Sequence, residues 1–366
     1  MTDNECRAWL TLLRTPTGRG NLRAALESFG SVEATVAAGG QALKRFRLDE
    51  EARDWLANPD ATRIDADLAW LDQADCHLLT PSHPDWPPLL AEIPDPPLAL
   101  FVRGDPKLLS EPQLAMVGSR NPTPAGRETA TDFASHLARA GLVITSGLAL
   151  GIDGASHEGA LKAGGATIAL CGTGLDRIYP ARHGALGRKI AERGALVSEY
   201  PLGTGPMKQN FPERNRLVSG LSTGVLVVEA AQRSGSLITA RLATEQGREV
   251  FAIPGSIHNP LAHGCHRLIR DGAKLVETAA DVLEELAPLL RLATTDAPAG
   301  QAARSPAEPG EKQVLNYVDF APTSIDCVVE RSGLTPAAVS AMLLALELKG
   351  FIAAAPGGGY MRTSSD

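Results

Sequence analysis

Short runs of apolar residues alternate with segments of helical length between residues 98 and 286, and no other feature of the chain constrains its fold as strongly. Continuous apolar runs of this kind are typical of strands that are covered on both faces of a parallel sheet. The longer segments between them provide the helical crossovers that parallel strands require. We therefore predict a doubly wound, mostly parallel α/β sheet. The predicted strands are residues 98–102, 114–117, 142–145, 166–171, 196–198, 225–229 and 249–253.

The segments on either side of this sheet predict smaller units. Residues 1–75 read as short helices separated by glycines, which predicts an N-terminal all-α domain. Repeated prolines between residues 81 and 97 predict an extended path rather than a helix. Residues 287–310 lose all periodicity and predict a linker. Residues 311–366 read as three helices and a glycine-tipped hairpin, which is the pattern of a winged helix. The predicted domains are therefore 1–75, 76–286 and 311–366, with the linker at 287–310.

Composition and charge exclude several classes of protein. The net charge of -7 disfavours a dedicated duplex-binding protein, although a few cations in one groove can still act locally. Apolar runs stay shorter than the ~18 residues that a membrane helix needs. The five cysteines are scattered and include no C-x-x-C pair, which predicts a reducing environment. We expect a cytoplasmic protein that lacks a membrane segment.

Glycine follows five of the predicted strands. In open α/β sheets ligands bind outside the carboxyl ends of the strands, where free amides and helix dipoles favour phosphate. Loop glycines often only make turns, but five such loops at one edge predict an anion-binding site. Neither G-x-G-x-x-G nor a Walker loop occurs, so we predict no nucleotide cofactor. The loop residues are Gly118-Ser119-Arg120, Ser146-Gly147, Gly172 with Gly174, Ser234-Gly235-Ser236, and Gly255.

Cations and one aromatic residue near these loops are candidates for contacts to a polyanion. Arg120 directly follows a strand and a glycine. An arginine has little structural role at such a position unless its guanidinium faces an anion. In residues 207–216, the basic side chains suit phosphates and Phe211 suits stacking on the base of a single strand. A core anchor for Phe211 and a buried ion pair for Arg214 remain equally open. Arg270 lies in a second basic segment that a solvated surface would also explain.

Two alternative functions draw on other residues. A nucleotide-metabolising enzyme would use Ser234-Gly235-Ser236 for phosphate and Glu229 as its base, although Glu229 is as well explained by capping a helix. A transcription factor would read DNA with residues 335–349, where Lys349 is the sole cation and groove reading needs more. The cluster of His258, His263, Cys265 and His266 lacks the spacing of a zinc site, so we predict no metal.

Taken together, the strand-end motifs resemble those of the DprA/Smf (DNA-processing protein A) family. The matching segments cover nearly all of the central domain, and Asp95-Pro96-Pro97 before the first strand also fits. The N-terminal helices resemble the SAM-like, helix-hairpin-helix-type domain of that family, and the terminal block resembles its winged helix. The matching segments are Val117-Gly118-Ser119-Arg120 and residues 146–153, 172–180, 211–216, 234–240, 254–255 and 268–273.

This resemblance implies an extended Rossmann-like domain that binds single-stranded DNA and forms a homodimer. It further implies a non-enzymatic protein that protects incoming DNA and loads a RecA-type recombinase during natural transformation. By position, the DNA-contacting arginine of the family falls on Arg120, a lysine on Lys208 and a polar contact on Arg270. A further cation after Tyr179-Pro180 falls on Arg182, because position 181 is alanine. The full predicted DNA-binding set is Gly118, Ser119, Arg120, Ser146, Gly147, Gly172, Gly174, Arg182, Lys208, Phe211, Arg214, Asn215, Arg216, Gly255 and Arg270.

Overall fold

A nine-stranded sheet lies at the centre of the computed structural model, which describes residues 1–290, 309–355 and 359–363. Its strands are β1 (Cys76–Leu79), β2 (Leu100–Gly104), β3 (Gln113–Val117), β4 (Val143–Ser146), β5 (Thr167–Leu170), β6 (Ala195–Ser198), β7 (Gly224–Val227), β8 (Glu249–Ala252) and β9 (Lys274–Leu275). They lie side by side in the order β1-β2-β6-β5-β4-β3-β7-β8-β9. All pairs from β6 to β9 are parallel, whereas β1 with β2 and β2 with β6 are antiparallel.

The prediction of a doubly wound, mostly parallel sheet is confirmed, and every predicted strand is present. The two edge strands β1 and β9 were not predicted. β9 consists of two exposed residues whose extended form depends on pairing with β8, so the local sequence carries no strand pattern. β1 is short and pairs with β2 through Cys76 opposite Arg103 and Leu79 opposite Leu100.

Helices cover both faces of the sheet. Leu114 and Met116 of β3 pack against the helices of one face, and Ala115 and Val117 pack against those of the other, as the alternation of a strand requires. The first face carries α8 (Pro124–Arg139), α9 (Ile152–Lys162), α10 (Gly184–Arg193) and α14 (Ala279–Leu290). The second face carries α11 (Asn210–Gly220), α12 (Gly235–Glu245) and α13 (His263–Arg270).

The N-terminal residues form the predicted all-α unit. Its helices are α1 (Asp3–Leu13), α2 (Arg19–Phe29), α3 (Val32–Ala37), α4 (Gly40–Lys44), α5 (Glu50–Ala57) and α6 (Ala61–Leu71). Side chains of Thr2, Ser31, Asp49 and Asp60 cap four of these helices, which satisfies N–H groups that have no partner within the helix. The unit packs against the sheet where Trp70 meets the Phe101 ring edge-on, with 6.1 Å between ring centroids.

The proline-rich stretch is not wholly extended, so that prediction is wrong in part. Residues Pro88–Ala91 form the short helix α7, and beyond this stretch Pro106–Ser110 form a 3₁₀ turn. Both begin with proline, which is tolerated at the first helical position because its missing N–H would have no partner there. α7 buries Leu90 against the second face of the sheet.

The C-terminal block is a winged helix, as predicted. Its elements are α15 (Pro309–Leu315), β10 (Thr323–Ser324), α16 (Ile325–Ser332), α17 (Pro336–Leu348), β11 (Ile352–Ala355) and β12 (Gly359–Arg362). The strands form a small sheet in the order β10-β12-β11 around a core that includes Val314, Val328 and Leu343. Most of the predicted linker 287–310 and the tip of the hairpin lie outside the described residues.

The order of the parallel strands reverses between β3 and β7. From β3 the chain steps outward through β4, β5 and β6, and α11 then returns it to β7 on the other side of β3. The loops after β3 and β7 therefore leave the sheet in opposite directions and open a crevice between them. A ligand-binding site is expected at this switch point.

Candidate nucleic-acid interface

A pocket of about 420 Å³ lies at this switch point, and we call it the switch-point pocket. Its walls come from the loops after β3 and β4, the first turns of α11 and the beginning of α12. The structure therefore brings together motifs that are separated by more than a hundred residues in the chain. Six predicted DNA-binding residues line the pocket: Gly118, Arg120, Gly147, Phe211, Arg214 and Asn215.

Two glycines of the pocket are required by close packing of the backbone. A Cβ atom at Gly118 would lie 2.7 Å from the side chain of Ile152 at the start of α9. A Cβ atom at Gly147 would lie 2.8 Å from the guanidinium of Arg214. These glycines let α9 and Arg214 approach the strand ends, so packing accounts for them without a ligand.

Arg214 is a structural member of the pocket wall. Its Nη1 donates hydrogen bonds to the carbonyl oxygens of Gly147, at 2.7 Å, and of Leu170. Burial lowers the pKa of Arg214, and the charge of Asp153 opposes that shift. Asp153 in turn accepts the N–H groups of Gly147 and Ala149 at 3.1 and 3.3 Å. Arg214 thus ties the loop after β4 to the end of β5 through two main-chain carbonyls, with Asp153 as a nearby opposite charge rather than a bonded partner.

Arg120 is the cation of the pocket that remains available. Its side chain is exposed and makes no hydrogen bond or ion pair with any residue that the structure describes. The backbone beside it is fixed, because the Ser119 N–H donates to the Glu229 carbonyl at 2.7 Å and the Ser119 carbonyl accepts from Ile152 at 3.1 Å. A guanidinium on a rigid loop, without a protein partner, is well placed to bind an anion.

The N-terminus of α12 adds a second anion-binding element to the pocket. Ser234 caps this helix, and its Oγ accepts the N–H of Ser236 at 3.3 Å. Ser234, Gly235 and Ser236 all line the pocket. Unpaired amides and the positive end of a helix dipole favour phosphate there. This motif is one of the five strand-end glycine loops from which the sequence predicts an anion-binding site, but its residues were left out of the predicted DNA-binding set.

Two aromatic rings lie at the rim of the pocket. The half-buried Phe211 packs over Gly172, and its ring centroid lies 5.5 Å from that of Tyr179. Tyr179 is 46% exposed and was missing from the predicted set. Its position after a strand and before Pro180 was a usable signal, but only tertiary packing shows that it joins Phe211. Exposed aromatic faces beside a phosphate site suit unpaired bases.

Several predicted contacts lie around the pocket and do not line it. Lys208 is exposed in the loop before α11, and it has no ion pair within the described ranges. Arg182 is exposed on the 3₁₀ turn Ala181–His183. Nδ1 of His183 lies 3.0 Å from the carbonyl oxygen of Leu148, and this contact fixes the turn. Arg270 is exposed at the end of α13, on the far side of β8. We retain these cations as candidates for a strand that extends beyond the pocket.

Three further loop residues of the predicted set make contacts within the fold. Ser146 is buried, and its Oγ donates to the Met116 carbonyl at 2.6 Å. Gly174 is buried, and a Cβ atom there would lie 2.6 Å from Asp176. The Gly255 carbonyl oxygen lies 2.8 Å from Nε2 of His266.

The predicted phosphate contact of Arg216 is not supported by its surroundings. Its Nη2 donates to Glu199 at 2.6 Å and its Nε to Asp95 at 3.0 Å, and the side chain is only 9% exposed. Arg19 and Arg23 of α2 also pair with Asp95. The cluster joins the N-terminal unit to the central domain, and its three carboxylates, with Glu213 as the third, balance the charges of the three arginines. We therefore correct its assignment from a DNA contact to a structural ion pair.

Glu229 is a capping residue rather than a free base. Its carboxylate accepts the N–H and the Oγ1–H of Thr123 at 2.9 and 2.7 Å, which fixes the loop after β3 at the start of α8. It does not line the switch-point pocket. Among the described residues, His, Cys, Asp and Glu side chains do not gather into a set that could hold a metal ion. No described helix is long and apolar enough to span a membrane.

Comparison with known proteins agrees with this arrangement. Residues 77–287 match the family model of the DNA recombination-mediator protein A, and residues 297–358 match that of the DprA winged helix domain. Protein Smf of Escherichia coli is 46% identical over 317 residues, which cover 85% of this chain and 84% of that protein. The chain belongs to the DprA/Smf family.

Solved structures of this family share the fold. The chain is similar to DprA from Streptococcus pneumoniae, with a TM-score of 0.69 and 37% identity over 76% of this chain and 97% of that one. It is also similar to DprA from Helicobacter pylori, which was described for its single-stranded DNA binding mode. That similarity has a TM-score of 0.53 and 34% identity over 58% of this chain and 96% of that one.

Proposed function

We propose that this protein binds single-stranded DNA at the switch-point pocket, without catalysing a reaction on it. The observation that carries the proposal is the unpaired Arg120 beside the N-terminus of α12, with the rings of Phe211 and Tyr179 at the rim. Arg120 and the N-terminus of α12 bind a phosphate, and the two rings stack on bases. This combination needs a ligand that carries both phosphates and exposed base faces.

The same combination favours single strands over duplexes. In a duplex the base faces are stacked on one another, so Phe211 and Tyr179 would gain nothing from them. Backbone amides and a guanidinium contact phosphate without reading the base sequence. The protein as a whole carries a net charge of -7, so attraction to DNA depends on the cations around this pocket. Binding is therefore local, independent of sequence and sensitive to salt.

The cellular role that fits this chemistry is delivery of the strand to a RecA-type recombinase. In this role the protein acts in the cytoplasm, protects incoming DNA during natural transformation and works as a homodimer through the Rossmann-like domain. Family membership supports the role, and so does the single-strand binding that was described for the Helicobacter pylori protein. Ile257 after β8 is 72% exposed and Leu275 of β9 is 44% exposed, so this end of the sheet offers apolar surface to a second subunit.

Binding of labelled oligo-thymidylate and of a matching duplex, each across a range of salt, tests the proposal. The intact protein is compared with Arg120→Glu/Lys208→Glu and with a control that carries the same charge change on the N-terminal unit, Lys44→Glu/Arg63→Glu. We expect a salt-sensitive preference for the single strand that the control keeps and the pocket variant loses. Equal binding by both variants would refute the proposed site, and the pocket would then more simply hold a small nucleotide.

Delivery to the recombinase needs its own measurement. Filament formation by a RecA-type protein on DNA already covered by single-strand-binding protein is followed with and without this protein. Faster filament formation by the intact protein, and none by Arg120→Glu/Lys208→Glu, would support delivery. Tight DNA binding with no effect on filaments would limit the function to binding and protection.

A further inference from the structure

A row of unpaired cations leads away from the switch-point pocket along α10. Residues 177–193 contain five Lys or Arg side chains and a single acidic one, Glu192, although acids outnumber bases 42 to 35 in the whole chain. Arg182, Arg188, Lys189 and Arg193 are all exposed, and none has an ion pair with a described residue. Because the protein as a whole is acidic, this is an unusual concentration of free positive charge.

The row begins at the rim of the pocket. Tyr179 contacts Phe211, which lines the pocket, and the neighbouring Ile178 lines a second cleft that runs beside α10. The turn that carries Arg182 rests against the start of α9, where a Cβ atom at Gly154 would lie 2.7 Å from the ring of His183. The segment between residues 176 and 183 therefore lines the second cleft and reaches the wall of the pocket through the contact of Tyr179 with Phe211.

The cleft, of about 1170 Å³, has two different walls. On the α10 side, Arg188 and Arg193 line it without ion pairs in the described chain, next to Glu192, whereas the exposed Lys189 lies beside Arg188 outside the lining. On the opposite side, Asp75 pairs with Arg103 at 2.9 Å, and Asp105 accepts the N–H of Lys107 at 3.0 Å. Asp176 and Arg177, at the border with the pocket, pair with each other at 2.7 Å. The unpaired cations of the cleft thus lie on the α10 wall, whereas the carboxylate of Asp105 on the opposite side keeps its negative charge.

Apolar side chains contribute to the lining between these walls. Ile178 is half-buried there, and Leu175 and Leu196 belong to the lining with 3% of each residue exposed. A lining with cations on one side and apolar surface beside them suits a strand whose phosphates follow the cations and whose bases face inward. The ten residues of α10 span about 15 Å, enough for about four nucleotides at the roughly 3.4 Å rise of a stacked strand.

We propose that the DNA strand leaves the switch-point pocket past Tyr179 and continues along α10, where Arg188, Lys189 and Arg193 neutralise further phosphates. This extension rests on the proposed function, because it assigns a path to the same ligand. The binding site on each protomer then consists of the switch-point pocket and of the cations Arg188, Lys189 and Arg193 along α10, which we call the track. Strands that end within the pocket do not reach the track.

The length of the bound strand provides the test. Two thymidylate oligomers, of about six and about twenty-five nucleotides, bracket the size of one compact single-strand site. Their affinities are measured across salt for the intact protein, for Arg188→Gln/Lys189→Gln/Arg193→Gln, and for the control Lys44→Gln/Arg63→Gln/Arg139→Gln. All six positions are exposed, so both variants are expected to fold.

We expect the α10 variant to bind the long oligomer more weakly and with a shallower salt dependence. Each neutralised phosphate of a single strand contributes about 0.7 to the slope of log K against log salt, so three lost contacts lower the slope by about 2. The short oligomer should bind all three proteins equally. Long-strand binding no weaker than that of the control would overturn the proposal, as would an equal loss for both lengths. If the intact protein binds neither oligomer, the proposed function itself fails.

Discussion

Replacing Arg214 tests the conclusion that this residue stabilises the pocket wall and does not contact DNA. Arg214→Met removes the bonds to the Gly147 and Leu170 carbonyls and the charge that faces Asp153. Removing one member of a buried charge pair typically costs about 3–5 kcal/mol, because the other charge stays buried. For a domain of this size, each kcal/mol lowers Tm by about 2–4 °C, so we expect a decrease of roughly 6–20 °C.

Thermal unfolding of the intact chain and of three variants measures this effect. Arg120→Gln is the matched control, since an exposed and unpaired arginine should change stability by less than about 0.5 kcal/mol. Asp153→Asn and its combination with Arg214→Met complete a double-mutant cycle. Arg214→Met should lower the free energy of unfolding less in the Asp153→Asn background than in the intact protein.

The DNA-binding behaviour of Arg214→Met makes the test decisive. Well below its Tm, this variant should keep the salt slope of the intact protein, because the number of phosphate contacts is unchanged. The reasoning would be refuted by a variant with normal Tm and a slope reduced by about 0.7, which is the signature of a lost phosphate contact.

Two further predictions concern buried charge and stacking. Burial, with the charges of His183 and Arg214, lowers the pKa of His157 from 6.5 to about 3, so only the unfolded chain takes up its proton between these values. The free energy of unfolding is therefore unaffected by His157 above about pH 6.5. It falls by about 1.4 kcal/mol for each pH unit below that value, or by about 2 kcal/mol at about pH 5. His157→Gln should lack this loss in urea unfolding, and an unchanged pH dependence would show that His157 is protonated in the fold. Phe211→Ala and Tyr179→Ala should each weaken oligo-thymidylate binding by about 1–3 kcal/mol without changing the salt slope. An effect as large on duplex binding would argue against stacking.

Much of the fold could be predicted because its decisive signals are local. A strand buried on both faces must be apolar throughout, so the central strands are visible one by one in the sequence. The elements that were not predicted depend on their neighbours. β9 is extended only because β8 pairs with it, and α7 forms where a proline begins a turn that buries Leu90.

The candidate site shows the same division between local and distant information. Arg214 and Arg216 lie two residues apart in one basic segment, and local sequence does not distinguish their roles. Their roles separate because Arg216 meets Asp95, 121 residues away, while Arg214 meets the carbonyl of Gly147, 67 residues away. Arg120 meets no partner within the described ranges. Tyr179 escaped prediction for the same reason, since its contact with Phe211 exists only in the folded chain.

The most direct test of the central claim is an experimental structure of the intact chain with a short oligo-thymidylate bound. We predict a phosphate within hydrogen-bond distance of the Arg120 guanidinium and of the amides at the start of α12. A thymine base should stack on Phe211 or Tyr179. DNA bound elsewhere, with Arg120 still facing solvent, would contradict the account.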